Sequence, residues 1–328
     1  RIAATMQVDA SFSPLQLDDL LPDGRGSLRG TLQLRGARDA PDVAVDLAGS
    51  DIAFGDYGAG HLVASGRLPW KTGDGALSLD AQGLRLGLPF AELHANLRGA
   101  VERLRFDAEA RGDIGAIALD GDANKQAARW QGTLSTLRFD PAKGAQWALQ
   151  QATRWSWDGR SGALSRACLA SNAGGHLCAD ADWPRRGLNL RGEALPLALL
   201  VPYLPERQDG RPWLLNGEVA LDARVVPAGN AWRGTATLAS ANGGLRNSAR
   251  ARRDFVGYRD LKFDASFDPQ RIEATLGAIF NGDGRIGARV ATGWDAYAPL
   301  SGEVKVETDE LTWMELFSPD IVEPTGKT

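Results

Sequence analysis

The feature that most constrains this chain is an alternation of period two that runs nearly from end to end. In Gly26-Ser27-Leu28-Arg29-Gly30-Thr31-Leu32-Gln33-Leu34-Arg35-Gly36, small or apolar residues trade places with polar ones at every step. The same beat returns in Val43/Val45/Leu47, Leu77/Leu79, Leu93/Ala95/Leu97, Leu104/Phe106/Ala108, Val219/Leu221/Ala223/Val225, Leu261/Phe263/Ala265/Phe267, Ile272/Ala274/Leu276, Ile286/Ala288/Val290 and Val304/Val306. A period of two puts one apolar and one wet face on each strand. About twenty such strands in succession, with few helices between them, predict a long antiparallel sheet. Turn chemistry agrees. Ala40-Pro41-Asp42, Gly73-Asp74-Gly75, Asp158-Gly159, Pro227-Ala228-Gly229-Asn230 and Asn281-Gly282-Asp283-Gly284 separate the runs by hairpin-sized gaps. Parallel pairing needs crossovers of a dozen or more residues, which are scarce here.

The apolar face is greasy without being bulky. Leu and Val share it with many alanines, and several of the 39 glycines lie inside the alternating runs. Glycine weakens an ordinary strand but permits bends and close approach. A sheet with such a face has little volume with which to fill the space under itself.

Bulk properties exclude some classes. A net charge of −4 over 328 residues argues against nucleic-acid binding. Arginine-rich spots at Arg185-Arg186 and at Arg250, Arg252 and Arg253 read as solvated loop charge or as contacts for anionic lipid headgroups. The longest apolar stretch, Ala194 to Pro205, is about twelve residues and holds several prolines, whereas a membrane span needs about twenty. The chain reads as an internal piece of a longer protein, with no transmembrane segment of its own.

Three segments interrupt the beat. Ser13 to Pro22 reads as a short helix near 14–21, with Ser13 as N-cap, Pro14 in the first turn and Gln16 completing a capping box. Leu195 to Pro205 reads as a second helix near 195–204, and Thr308 to Pro319 as a third with acids in its first turn. Each stops near a proline. The first two lead into Gly-x-apolar openings, Gly26-Ser27-Leu28 and Gly217-Glu218-Val219, which suggests an irregular repeat of helix, turn and meander. The expected organisation is a first module over 1–192, a second over 193–307 and the start of a third over 308–328, in one continuous rod. At about 4.8 Å per strand, some twenty strands span on the order of 100 Å.

Cys168 and Cys178 flank the turn cluster Ala170-Ser171-Asn172-Ala173-Gly174-Gly175. Facing each other on a hairpin they can pair, which implies an oxidising compartment; otherwise they are two buried thiols.

Catalytic patterns are missing. His61, His94 and His176 lie in separate local patterns, with no spacing that suits zinc. Asp23-Gly24-Arg25-Gly26 and Gly55-Asp56-Tyr57-Gly58-Ala59-Gly60 lack the strand-then-helix grammar of a phosphate loop. Asp18 and Asp19 are immediate neighbours that point apart on a helix, and Asp283 sits in a turn without a partner, so the two flanking carboxylates of a glycosidase are not in view. Trp130, Trp147, Trp155, Trp157 and Trp232 lie within or beside alternating runs and read as packing residues or as members of the apolar face rather than as sugar-stacking rings. The reading is a non-enzyme without a cofactor.

Leu20-Leu21-Pro22 followed by the run from Gly26 to Gly36, then Pro41 and Val43-Ala44-Val45-Asp46-Leu47, resembles the repeated element of the TamB family, relatives of the AsmA-like proteins. Trp147-Ala148-Leu149 through Cys168-Leu169, Cys178, Trp183, Leu195-Pro196-Leu197 and Pro202 resembles its middle region, as does Pro299 to Val304 running into Leu311-Thr312-Trp313-Met314. The resemblance covers essentially the whole chain, and the order of the motifs carries more weight than any one of them. It implies an all-β fold: an elongated antiparallel U-shaped sheet (a β-taco, or β-groove) with an open apolar concave face and short interrupting helices. It further implies a periplasmic location, an inner-membrane anchor elsewhere in the full-length protein, and the outer-membrane barrel TamA as partner. Phospholipid is the implied cargo, with acyl chains in the groove and headgroups wet. A role with TamA in inserting autotransporters and other outer-membrane proteins, as scaffold or chaperone, is the alternative.

The residues expected to line such a groove are Leu28, Leu32, Leu34, Val43, Val45, Leu47, Leu77, Leu79, Leu93, Leu97, Phe106, Val219, Leu221, Leu261, Phe263, Ile272, Leu276, Ile286, Val290, Val304 and Val306. Leu17, Leu20, Leu21, Leu199, Leu200, Leu316 and Phe317 of the short helices are expected to dock on the sheet or roof part of it. A carbohydrate-active β-solenoid would require regular coil lengths, and the spacing is irregular. A closed barrel or sandwich with an ordinary core is the remaining all-β option.

Overall fold

A computed structural model describes residues 5–308 except 20, 22, 87–88, 206–209, 211, 230, 247, 249, 252–253 and 296. The fold is all-β and antiparallel, with twenty strands among the described residues. The chain divides into two units, Arg1–Ala142 with Gln146–Gly162, and Lys143–Ala145 with Ala163–Thr328.

In the first unit β1 (Thr5–Gln16), β2 (Gly24–Ala37), β3 (Ala40–Phe54), β4 (Tyr57–Leu68), β5 (Gly75–Leu86), β6 (Pro89–Ala100), β7 (Arg103–Gly112), β8 (Gly115–Gln126) and β9 (Arg129–Pro141) form a meander, each pairing with the next. Beyond β9, the short β10 (Trp147–Leu149) and β11 (Thr153–Trp157) both pair with it, at opposite ends of its length. In the second unit β12 (Gly162–Ser171) is tied by a disulfide to β13 (His176–Trp183). β14 (Gly187–Pro196), β15 (Leu214–Ala228), β16 (Ala231–Arg246), β17 (Val256–Phe267), β18 (Ile272–Phe280), β19 (Gly284–Thr292) and β20 (Ser301–Glu307) then continue from β13 as a second meander.

The expected helix near 14–21 is a correction. Ser13 to Gln16 is the end of β1, where Leu15 lies opposite Leu28 and Gln16 opposite Ser27, and only Leu17–Asp19 turns, as a single 3-10 turn. The register slips between Phe12 and Leu15, so Pro14 sits in a bulge. A proline without an N–H suits a bulge on a strand paired on one side as well as it suits a first helical turn. The second interruption is helical but of the 3-10 type, Leu197–Tyr203, with Pro202 inside it. Pro202 has no N–H to give an i−4 carbonyl, which disfavours a regular α-helix there. The segment from 309 onward, with Leu311, Trp313, Met314, Leu316 and Phe317, and Leu20 of the first interruption lie outside the described residues.

The interior is thin. Among the described residues no large side chain is less than 2% exposed. Two small clusters form in the first unit. Leu68, Val101, Leu104 and Ala123 gather near the turns that follow β4, β6 and β8, with Trp70, Trp130 and Trp155 packed on them. Ala59, Ala81 and Leu84 gather towards the opposite strand ends with Leu62, Phe90 and Leu93.

Cys168 and Cys178 are disulfide-bonded with Cα atoms 4.0 Å apart. Replacing both by serine is expected to lower unfolding free energy by about 2–3 kcal/mol, the chain-entropy value for a short loop. Chemical denaturation of the oxidised protein and of the double variant measures the difference. An unchanged midpoint would assign the hairpin's stability to its strand pairing alone.

Candidate functional site

Residues directly opposite in an antiparallel pair share a face, so the register defines which side chains form one surface. In the first unit one row runs Leu32, Val45, Gly66, Leu77, Leu97, Phe106, Gly121, Leu134. The next runs Gly30, Leu47, Ala64, Leu79, Ala95, Ala108, Leu119, Leu137, and a third Leu28, Gly49, Leu62, Ala81, Leu93, Ala110, Ile117, Phe139. Leu34 and Val43 head a fourth, shorter row that ends at Leu68. All eleven groove residues expected in this unit therefore fall on one face.

The second unit repeats the pattern. Gly192, Leu221, Leu238, Phe263, Leu276, Ala288 and Val304 form one row, and Leu190, Ala223, Ala236, Ala265, Ala274, Val290 and Gly302 another. Ile272 lies opposite Phe267, Ile286 opposite Val306, and Val219 and Leu261 extend the same face along β15 and β17. The ten residues expected here also share a face. Of the twenty-one, only Val219 is buried, at 8% exposure; Val304 is 65% exposed, Val306 36%, and the others are half-buried. The first unit's middle row mixes leucine with alanine, at Ala64, Ala95 and Ala108, so small side chains lie between the flanking rows.

Several members of this surface did not stand out in the sequence. Ile117 and Leu119 are hidden because Ala116 and Ala118 make both faces of β8 look apolar. Leu134 and Leu137 are three apart, and a bulge opposite Asp120 and Gly121 still puts both on the apolar side. A bulge breaks the period-two signal just where it preserves the face.

The opposite face is polar and cross-linked by side chains. Ser65 and Ser78 hydroxyls meet at 3.1 Å, Asn96 donates to Asp107 at 2.8 Å, Asn189 to Asp180 at 2.9 Å, Thr237 to Asp264 at 3.0 Å, and Thr136 to Asp120. Arg191 pairs with Asp222 at 3.1 Å. Cys178 lies opposite Arg191, so the disulfide is on this face. Such exposed or part-buried cross-strand pairs contribute up to about 1 kcal/mol each; their larger effect is to fix which face is wet.

His94 on this face has a raised pKa. Its Nδ1 is 2.6 Å from Asp80, whose hydrogen bond raises its pKa, with Asp107 and Glu109 adding to the rise. A raised folded pKa favours the fold below the unfolded value near 6.5, and that contribution fades as pH climbs through the folded pKa. The thermal midpoint of the native chain is therefore expected to drop more between pH 6 and pH 8 than that of His94→Asn. Equal drops would show that the Asp80 contact has no thermodynamic effect.

Among the described residues no three of His, Cys, Asp and Glu converge to hold a metal ion. Asp18 and Asp19 lie in the 3-10 turn, and Asp283 is fully exposed, 3.6 Å from Arg259. No helix among the described residues is long and apolar enough to cross a membrane.

The family model described as TamB, N-terminal domain, matches residues 1–327. The chain belongs to the TamB family. No solved structure matches it. Within a TamB-family sheet, the surface most in need of explanation is the apolar face: it is continuous across each unit's strands, and its large side chains are only half covered.

Proposed function

We propose that this chain is a periplasmic bridge segment whose apolar face carries phospholipid acyl chains between the inner and outer membranes, in support of outer-membrane assembly. The observation that carries the reading is the set of apolar rows across β2 to β9, which the protein's own side chains leave partly exposed. Apolar surface in contact with water costs about 25 cal/mol per Å². An acyl chain laid across the rows removes that contact, and each buried CH₂ contributes about 0.8 kcal/mol. Sixteen carbons can thus gain on the order of 10 kcal/mol before ordering reduces the figure. The small side chains at Ala64, Ala95 and Ala108 leave room for a chain to lie between bulkier neighbours. No specific polar contact is required, so chains of different length fit the same surface. In the full-length protein, an inner-membrane anchor and the barrel TamA would supply the two ends of the route.

The test is a photo-reactive amino acid placed on each face in periplasm-expressed protein. Position 79 or 119 on the apolar face should give phospholipid adducts, and position 78 or 120 on the polar face should not. Equal labelling of both faces, or none at either, overturns the proposal.

One observation favours the alternative. Every residue of β20 is exposed, including Val304 and Val306. An exposed strand can accept another by β-augmentation, the route by which a scaffold would hold an unfolded outer-membrane strand. Crosslinks from β20 to such segments would favour it.

A further inference from the structure

One end of the second unit differs in charge from the rest. There the turns after β13, β15 and β17 and the loop after β19 come to the same margin of the meander. On the apolar side of that margin, Trp183 stacks on Trp232 with ring centroids 4.6 Å apart, and Trp294 meets Phe267 edge-on at 5.5 Å. Both Trp232 and Trp294 stay more than half exposed, at 55% and 56%. The Trp294 indole N–H donates to the Asp268 carbonyl at 2.7 Å, which fixes the ring at the boundary. On the polar side of the same margin, Arg185, Arg224, Arg233 and Arg271 line an open cleft of about 890 Å³ with Asp268 and Glu273 as its acids.

The acids are engaged and too few. Asp268 accepts from the backbone N–H groups of Gln270 and Arg271 at 2.9 and 2.8 Å, and Glu273 pairs with Arg271 at 2.9 Å. Two positive charges remain in excess. Arg185 and Arg233 have no carboxylate partner among the described residues. The first unit has a cleft of similar size, lined by Lys71, Arg98, Arg103 and Arg105, but four acids balance those cations. Excess guanidinium beside amphipathic indole rings is the chemistry that meets a phosphate where an apolar phase ends.

We propose that this margin of the second unit holds the phosphate of a phospholipid headgroup and prefers headgroups with net negative charge. The acyl chains lie on the apolar face beside Trp183 and Trp232, and the headgroup turns over the margin into the arginine cleft. The inference rests on acyl-chain occupancy of the apolar face, and adds to it a headgroup preference that an apolar surface cannot provide.

The experiment incubates the purified 328-residue chain with vesicles of equal phosphatidylglycerol and phosphatidylcholine, recovers the protein and measures both lipids by mass spectrometry. Native protein should be enriched in phosphatidylglycerol. Arg185→Gln/Arg224→Gln/Arg233→Gln should lose up to about 100-fold of that enrichment, since each of the three cations near a lipid surface is worth about a factor of five, while still carrying phosphatidylcholine. Arg233→Glu alone provides a second variant that breaks no recorded bond, and Arg98→Gln/Arg105→Gln in the balanced cleft should leave the ratio unchanged. Inorganic phosphate in excess should abolish the enrichment without lowering total lipid. An unchanged ratio in both arginine variants overturns the headgroup site and leaves the acyl-chain reading standing. Native protein that recovers no lipid overturns both, and phosphate binding without lipid preference assigns the cleft to the free ion and overturns the headgroup proposal.

Discussion

Leu221→Asp is expected to cut the phospholipid recovered with the purified chain about 100-fold while leaving most of the protein folded. Leu221 lies in the second unit's row between Gly192 and Leu238 and is half-buried. An acyl chain seated there would lose the leucine contact and would have to desolvate a carboxylate, together about 3 kcal/mol. The fold is affected less, because without cargo the new carboxylate faces water and its strand keeps every backbone partner. A loss of about 1–2 kcal/mol is expected from the missing cross-strand contact. Thr275→Asp is the control. It adds the same charge on the polar face, opposite Arg289, and lipid recovery should not change. If the two variants recover equal lipid, the apolar rows are not where lipid binds, and their exposure needs another explanation. Leu32→Asp and Leu276→Asp ask the same question elsewhere along the sheet.

Much of this two-faced sheet is written in the sequence. Strand existence and side are legible, because Leu28, Gly30, Leu32 and Leu34 and their partners Gly49, Leu47, Val45 and Val43 keep strict alternation and the register then matches small or apolar to apolar. A one-residue slip would expose the whole set on the wrong side. What fails is local. Ser13 to Gln16 carries the residues of a capping box, yet Leu15 finds Leu28 across the strand pair, and tertiary pairing outweighs about 1 kcal/mol of cap. The Leu134 and Leu137 pair escapes a period-two search because the bulge is set by the partner strand, which is far away in sequence. The arginine cleft is least legible. Arg185, Arg224, Arg233 and Arg271 are spread over four turns and strands, and only the meander brings them together.

Gly66→Val is expected to be among the most damaging single changes, costing about 3 kcal/mol or more. Gly66 has φ +133°, a region open in practice to glycine alone, and a Cβ there would collide with the carbonyl oxygen of Ala76 on the next strand. The obstacle is backbone, so no rotamer relieves it, and the β4–β5 pairing would have to separate locally. Ala64→Val, two residues earlier in β4 and one row over, is the informative comparison. Ala64 is half-buried on the same apolar face, paired with Leu47 and Leu79, and a valine suits a strand. Its unfolding free energy should change by less than about 1 kcal/mol, measured by urea denaturation alongside Gly66→Val. The two variants separate the reasons for small residues on this face. If both are strongly destabilising, the alanine row is packed as tightly as the glycine position and cannot admit a guest. If Ala64→Val is stable yet carries less lipid, the row is small because something other than the protein occupies the space beside it.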